Sequence, residues 1–315
     1  MDWRNIASGL PLPSQKYSDQ PYLIKTDDGC WLCSLTTANG NEGSSSEHVI
    51  TMRSRDRGRS WSTPVSVEEI GETRENAYSV LFKTPGGRIY IFYNFNTQNL
   101  RKVKLHSGKT SISRVDSLGD YVFKYSDDHG KSWSKKRFIV PVREFSCDRN
   151  NIYHGRIRFF WNVGKPFQTG TEVFFSLHKV GELGKGFFQQ SEGCLLKSSN
   201  ILTESDPEKI VFETLPDGDV GLCAPKGGGP IAEEQSYVTL ADSSICAVYR
   251  TIDGHPAESY SRDGGHSWET PQYRRFASGR VMKNPRAANF HWKSSNGKFL
   301  YWFHNHGGKF IRSMW

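Results

Sequence analysis

Apolar and polar residues alternate along most of this chain in short runs, and each run stops at a turn. In residues 21–32 an apolar run through Tyr22-Leu23-Ile24 gives way to Asp27-Asp28-Gly29 and resumes at Cys30-Trp31-Leu32. The unit recurs at 78–93 around Pro85-Gly86-Gly87, at 236–249 around Asp242-Ser243-Ser244, and at 287–303 around Asn296-Gly297. Alternation on both sides of Asp-Gly, Gly-Gly or Asn-Gly is the short-range signature of an antiparallel hairpin. The pattern predicts an all-β chain of short, hairpin-connected strands.

A second motif follows the hairpins. Ser54-Arg55-Asp56-Arg57-Gly58-Arg59-Ser60-Trp61, Ser126-Asp127-Asp128-His129-Gly130-Lys131-Ser132-Trp133 and Ser261-Arg262-Asp263-Gly264-Gly265-His266-Ser267-Trp268 share the form S-x-D-x-G-x-x-W. A short carboxylate accepts backbone N–H groups just ahead of it and holds an Asx-type turn, the Gly supplies a positive φ, and the Trp pins the turn to its sheet. These boxes are expected to fasten the structure and to take no part in chemistry. They begin at 54 and 126, a step of 72, and a further 72 lands on Ser198-Ser199-Asn200, which reads as a decayed copy. One repeat is then a hairpin, a loop and a box hairpin. Repeats of four antiparallel strands predict the blades of a β-propeller. The 315 residues cover about four and a half to five such blades, with a fifth unit starting at Asn284 and stopping after its second strand. The expectation is a single propeller domain over 1–315, incomplete at its C-terminal end.

Composition agrees. Aromatic residues make up 13%, with 30 Gly and 14 Pro, as many short strands and tight turns require. No apolar run is long enough for a transmembrane helix, and Met1 to Pro13 holds no basic stretch leading into an apolar core. No membrane partner is expected, and cytoplasmic location is the default. The six cysteines are scattered, and Cys30 and Cys33 belong to a strand pattern with no second pair at metal-ligand spacing, so buried free thiols and no metal or other cofactor are expected. The net charge of +8 could draw an acidic glycan, but the Lys and Arg are dispersed beyond Lys135-Lys136-Arg137, which argues against a nucleic-acid partner.

The three boxes, spaced one per blade, resemble the Asp-boxes of the sialidase (neuraminidase) superfamily, and the resemblance covers roughly residues 19 to 315. It implies a six-bladed propeller whose active site lies at the centre, on the face away from the boxes. It also implies a Tyr nucleophile backed by a Glu, an acidic acid/base residue, and three Arg gripping a substrate carboxylate. This chain departs from that pattern. Where the first blade of sialidases opens with Arg-Ile-Pro it reads Asp19-Gln20-Pro21, and near the third box the next Arg is replaced by Ala257, Glu258 and Ser259. The nucleophilic Tyr would belong to a blade beyond this chain. The loop before the first box, which holds the acid/base residue in the family, offers Glu42, Glu47 and His48. Glu234 to Leu240 matches the family's E-x-x-x-V-x-L strand, Arg250 falls where that family closes the next strand with Arg, and Arg286 could stand in for the last Arg.

Further candidates come from the residues alone. Tyr153 to Arg158 reads as the start of the third unit's innermost strand, and alternation would put His154, Arg156 and Arg158 on one side, a general base beside cations. His255 and the His304-Asn305-His306 run occupy equivalent loops after second strands and are expected to line the central pocket. The predicted catalytic set is therefore Glu42, His48, His154 and Glu234, and the predicted substrate-binding set is Asp19, Arg156, Arg250, His255, Arg286 and His304. These sets serve a hydrolase acting on an acidic or otherwise polar glycan. His154 beside an Arg would equally suit a lyase acting on uronic-acid glycans, and a non-catalytic glycan-binding propeller is the third reading.

Overall fold

The computed structural model describes residues 5–108, 111–184 and 188–306. It holds four antiparallel blades. The first pairs β1 (Tyr17–Lys25), β2 (Trp31–Ala38), β3 (His48–Ser54) and β4 (Val65–Ser66) in sequence order. The second runs β5 (Asn76–Lys83), β6 (Ile89–Phe95), then a small inserted hairpin of β7 (Val103–Lys104) and β8 (Ser111–Ile112), then β9 (Asp120–Ser126) and β10 (Phe138–Ile139). A short helix, α1 (Ser146–Asn150), leads to the third blade. There the innermost strand is split into β11 (Phe160–Trp161) and β12 (Phe167–Thr169), both against β13 (Glu172–Leu183), with β14 (Phe188–Ser198) and β15 (Glu213–Leu215) outside. The fourth runs β16 (Glu233–Thr239), β17 (Ile245–Arg250), β18 (Ala257–Ser261) and β19 (Gln272–Tyr273), and a final hairpin pairs β20 (Phe290–Lys293) with β21 (Phe299–Trp302). The propeller expected from the repeats is observed.

The core lies between blades. Phe92 of β6 packs on Phe175 of β13 with ring centroids 4.2 Å apart, in a cluster that also buries Tyr90, Tyr121 and Phe123. Each fully buried side chain of this size contributes roughly 1.5–3 kcal/mol. The boxes fasten this arrangement as expected. Asp128 accepts from Ser126, Ser132 and the backbone N–H groups of Lys131 and Ser132 at 2.6–3.0 Å. Trp133 reaches the first blade, where its Nε1 donates to Thr51 at 3.0 Å. Gly130 has φ +78°, and a Cβ there would lie 2.6 Å from Leu32 of that blade, so the turn needs glycine for both its conformation and its close approach. The decayed copy still works as a turn: Asn200 accepts from the Val211 N–H at 2.9 Å and donates to the Lys209 carbonyl at 2.9 Å. Five cysteines are buried free thiols, whereas Cys223 is exposed.

One predicted strand is absent. Residues 151–157 form turns, with His154 at φ 53° and Gly155 at φ 76°. The Asn151 side chain accepts from the Tyr153 N–H at 2.8 Å and donates to the Ile157 carbonyl at 2.9 Å. Alternation over four residues cannot compete with an Asx turn that satisfies the local backbone, so the inner strand begins only at Phe160.

Candidate active site

The site is built on a repeated irregularity. The inner strands β1, β5 and β16 each slip register against their neighbour, between Asp19 and Tyr22, Ala77 and Val80, and Glu233 and Ser236. At each slip a residue other than glycine takes the left-handed conformation: Gln20 at φ 54°, Tyr78 at 59° and Glu234 at 56°. Bulges of this kind re-aim side chains beside active sites, and each left-handed residue stores of order 1–3 kcal/mol. The re-aimed side chains cross between blades. Gln20 Nε2 donates to the Asn162 carbonyl in the third blade at 2.5 Å, and the Tyr78 ring meets Trp161 edge-on at 5.1 Å.

The fourth blade supplies an acid–arginine cluster. Glu233 is fully buried, and its Oε2 accepts from Arg250 Nε at 2.9 Å and lies 2.8 Å from Arg250 Nη2. Its Oε1 accepts from Arg286 Nη2 at 2.9 Å, which also donates to the Phe188 carbonyl at 2.9 Å. Glu234 lies beside this pair, its Oε2 3.2 Å from Arg250 Nε. Burial pushes the Glu234 carboxyl up to about 7 against the pull of Arg250, with Glu233 and Asp19 adding to the rise.

The facing wall comes from the first two blades. Glu47 is buried and accepts the Gly43 N–H at 2.5 Å, and burial together with Asp116 pushes its carboxyl up to about 9. Arg114, from the stretch after β8, donates to Glu42 at 2.9 Å and to both oxygens of Asp116 at 3.1 Å. Tyr78 donates to Asp116 at 2.5 Å. Gly43 makes room for this bridge, since a Cβ there would lie 2.5 Å from Arg114 Cγ. Asp19 accepts from the Tyr17 hydroxyl at 3.3 Å, and burial and the neighbouring Glu42 raise its carboxyl. Asp19 acts on Glu234, and Glu42 on Arg250, so the two walls share one electrostatic neighbourhood.

Beneath them Trp161 packs edge-on to His178 at 4.8 Å, with the Arg250 guanidinium 5.4 Å from the indole. His178 is fully buried with neither ring nitrogen hydrogen-bonded, and burial and Arg250 hold it neutral. Among the described residues, Glu213, Asp217 and His266 bring possible metal-ligand atoms within 4.8 Å of one another. They belong to outer strand β15, the turn after it and the third box. Lys197 already supplies a cation there, 2.6 Å from Glu213 and 3.3 Å from His266.

The structure therefore gathers Asp19, Glu42, Glu234, Arg250 and Arg286 from the predicted sets. The other predicted residues have the following neighbours. His48 starts β3 with its ring Nδ1 3.0 Å from the Ser46 carbonyl, and it lines a groove of about 380 Å³ with Glu47, Glu68, Glu72 and Arg74. Its neighbour Glu47 takes the buried position, because successive residues at a strand start face opposite ways. His154 and Arg156 are exposed in the turn, where Arg156 Nε donates to the Tyr153 carbonyl at 3.3 Å. His255 donates from Nδ1 to the Met282 carbonyl at 2.8 Å and packs against Tyr273. The His304 ring packs against Trp302 and His306. The additional members of the centre are Glu47, Glu233, Arg114, Asp116, Tyr78 and Trp161. Glu47 is already among the candidates of the loop before the first box, and Glu233 stands beside Glu234, but nothing local marks Arg114 or Asp116.

Four-stranded antiparallel blades fastened by Asp-boxes make the fold a β-propeller. A family model described as BNR/Asp-box repeat matches residues 124–135, the second box. Solved structures share the fold. A protein of unknown function from Dyadobacter fermentans is 14% identical with TM-score 0.63, the match covering 91% of this chain and 76% of that one. A Hadza microbial sialidase is 14% identical with TM-score 0.59, over 91% of this chain and 53% of its own length, so this chain spans about half of it. An alpha-L-arabinanase of Penicillium chrysogenum is 15% identical with TM-score 0.52, over 92% and 76%. No curated protein matches by sequence. At these identities the likeness is one of fold.

Proposed function

We propose that this protein is a carbohydrate-active enzyme that hydrolyses glycosidic bonds in polar glycans at the centre of the propeller. The observation that supports this most directly is Glu234, a buried carboxyl on a strained bulge, raised to about 7 and within electrostatic reach of Asp19. A carboxyl titrating there holds a proton near neutrality and can release it to a leaving group. In this reading Glu234 protonates the glycosidic oxygen as the C–O bond breaks. Asp19, with Glu42 beside it, takes a proton from the water that attacks the anomeric carbon, as paired carboxyls do in glycosidases. Arg250 fixes Glu234, and Arg114 fixes Glu42. The shared fold adds support, since neighbours named sialidase and arabinanase are built on it.

The test is turnover of chromogenic glycosides by the wild type, Glu234→Gln and Asp19→Asn. Wild-type release that falls on the order of 10²–10⁴-fold in Glu234→Gln supports the assignment. A wild type that neither turns over nor binds any sugar defeats it.

A further inference from the structure

The charge balance of the centre bears on the class of sugar that the hydrolase reading would require, and the inference here rests on that reading. Six carboxyl groups converge: Asp19, Glu42, Glu47, Asp116, Glu233 and Glu234. The arginines among them are Arg114, Arg250 and Arg286. Each is engaged by carboxylate. Arg114 bridges Glu42 and Asp116, Arg250 contacts Glu233 and Glu234, and Arg286 contacts Glu233. We infer that the ring bound at this centre is an uncharged sugar, recognised through its hydroxyl groups, and that sugars bearing a carboxylate are rejected.

The physical argument is one of competition. A substrate carboxylate is held by guanidinium donors presented to it as a fork. Here the Arg250 fork lies on Glu233, a side chain with no exposed surface. A second carboxylate could take those donors only by stripping Glu233 of its partners, leaving a buried and uncompensated charge. Even with Glu47 and Glu234 holding their protons, four carboxyls face three arginines, so an anionic sugar would also meet like charge, which is costly at close range. A neutral sugar meets neither obstacle. Its hydroxyls donate to carboxylate oxygens that are already desolvated, and accept from guanidinium N–H groups without displacing an acid. Glu47, kept protonated by burial and Asp116, adds a neutral donor to the same lining.

Two measurements test this. The first compares kcat/KM on nitrophenyl glycosides of neutral pentoses and hexoses with that on the matching sialoside and glucuronide. The second follows binding of free L-arabinose, D-galactose, D-glucuronic acid and sialic acid by saturation-transfer NMR, which reads selectivity even without turnover. The expected result is a preference for neutral over acidic sugars of roughly 100-fold or more in turnover, and saturation transfer to neutral sugars only. In Glu233→Gln, with one acid of the clamp neutralised, saturation transfer to sialic acid should appear where wild type shows none. If that variant does not fold, Glu42→Gln, which frees part of Arg114, serves the same purpose. Preference for acidic sugars, or equal binding of both classes, overturns the inference and leaves the hydrolase reading standing. Binding of neither class overturns both.

Discussion

Glu233 grips Arg250 at two points, Nε at 2.9 Å and Nη2 at 2.8 Å from one carboxylate oxygen, while its other oxygen holds Arg286. One buried acid thus orders two cations that arise from different parts of the chain. Arg250 closes the second strand of the fourth blade, and Arg286 precedes the final hairpin. The pair that is carried into a low-dielectric centre in this way has to stay complete, because either partner alone would be a buried, uncompensated charge.

Removing Glu233 should therefore cost stability as well as chemistry. Glu233→Ala is expected to destabilise the fold by about 3–5 kcal/mol, the range for breaking a buried ion pair, and Glu233→Gln by less because it can still accept hydrogen bonds. Urea unfolding of the two variants beside wild type checks this. Equal stability of all three would show that the cluster is solvated.

Stability should also decline as pH rises. The Glu234 and Glu47 carboxyls titrate at about 7 and about 9 in the folded chain, above their ordinary 4.5, so the native state binds these protons more tightly than the unfolded state. Their full contribution is present below 4.5 and is lost progressively as pH rises, through 7 for Glu234 and on towards 9 for Glu47. Glu47→Gln keeps an acceptor for the Gly43 N–H and removes one of the titrations. Its unfolding midpoint should fall less than that of wild type between about pH 5 and 9. Parallel profiles would contradict the burial argument.

Substitutions at the two candidate proton-transfer residues should separate hydrolase from lyase. Glu234→Gln should lose on the order of 10²–10⁴-fold in kcat, whereas His154→Ala, exposed in its turn, should stay within about threefold of wild type. A large loss in His154→Ala, together with an unsaturated product seen by ultraviolet absorbance, would reverse the assignment.

The boxes should affect stability alone. Asp128→Ala removes four hydrogen bonds to a carboxylate at the turn that seats Trp133. The expected cost is about 2 kcal/mol, or a fall in Tm of several degrees, with no change in the pH–rate profile. A shift in that profile would mean that the box couples to the centre.

Some of the candidate site was legible before the fold was known. Glu234 and Arg250 are indicated by the resemblance of residues 234–240 and the strand after them to the sialidase pattern, and Arg286 by the same resemblance. Asp19 and Glu42 rest on the same resemblance, at the opening of the first blade and in the loop before the first box. The strand expected around His154 gives way to an Asn-centred turn that outcompetes four residues of alternation, and beside His48 it is Glu47 that is buried. Gln20, Tyr78 and Glu234 carry no sign of a left-handed backbone in their residue types. Their bulges are imposed by pairing with the next strand.

What the sequence determined by itself is local. Hairpin turns, the Ser and Asp bonds within the three boxes and the decayed copy at Asn200 close within a few residues or along one unit of the repeat, so composition and spacing suffice to specify them. Only the tertiary structure decided which strand ends meet. Asp19 comes from the first blade and Glu234 from the fourth, and Arg114 from a stretch beyond the inserted hairpin. They share one electrostatic neighbourhood because blade packing carries them there, and the burial that raises Glu234 and Glu47 exists only once those blades have closed around them.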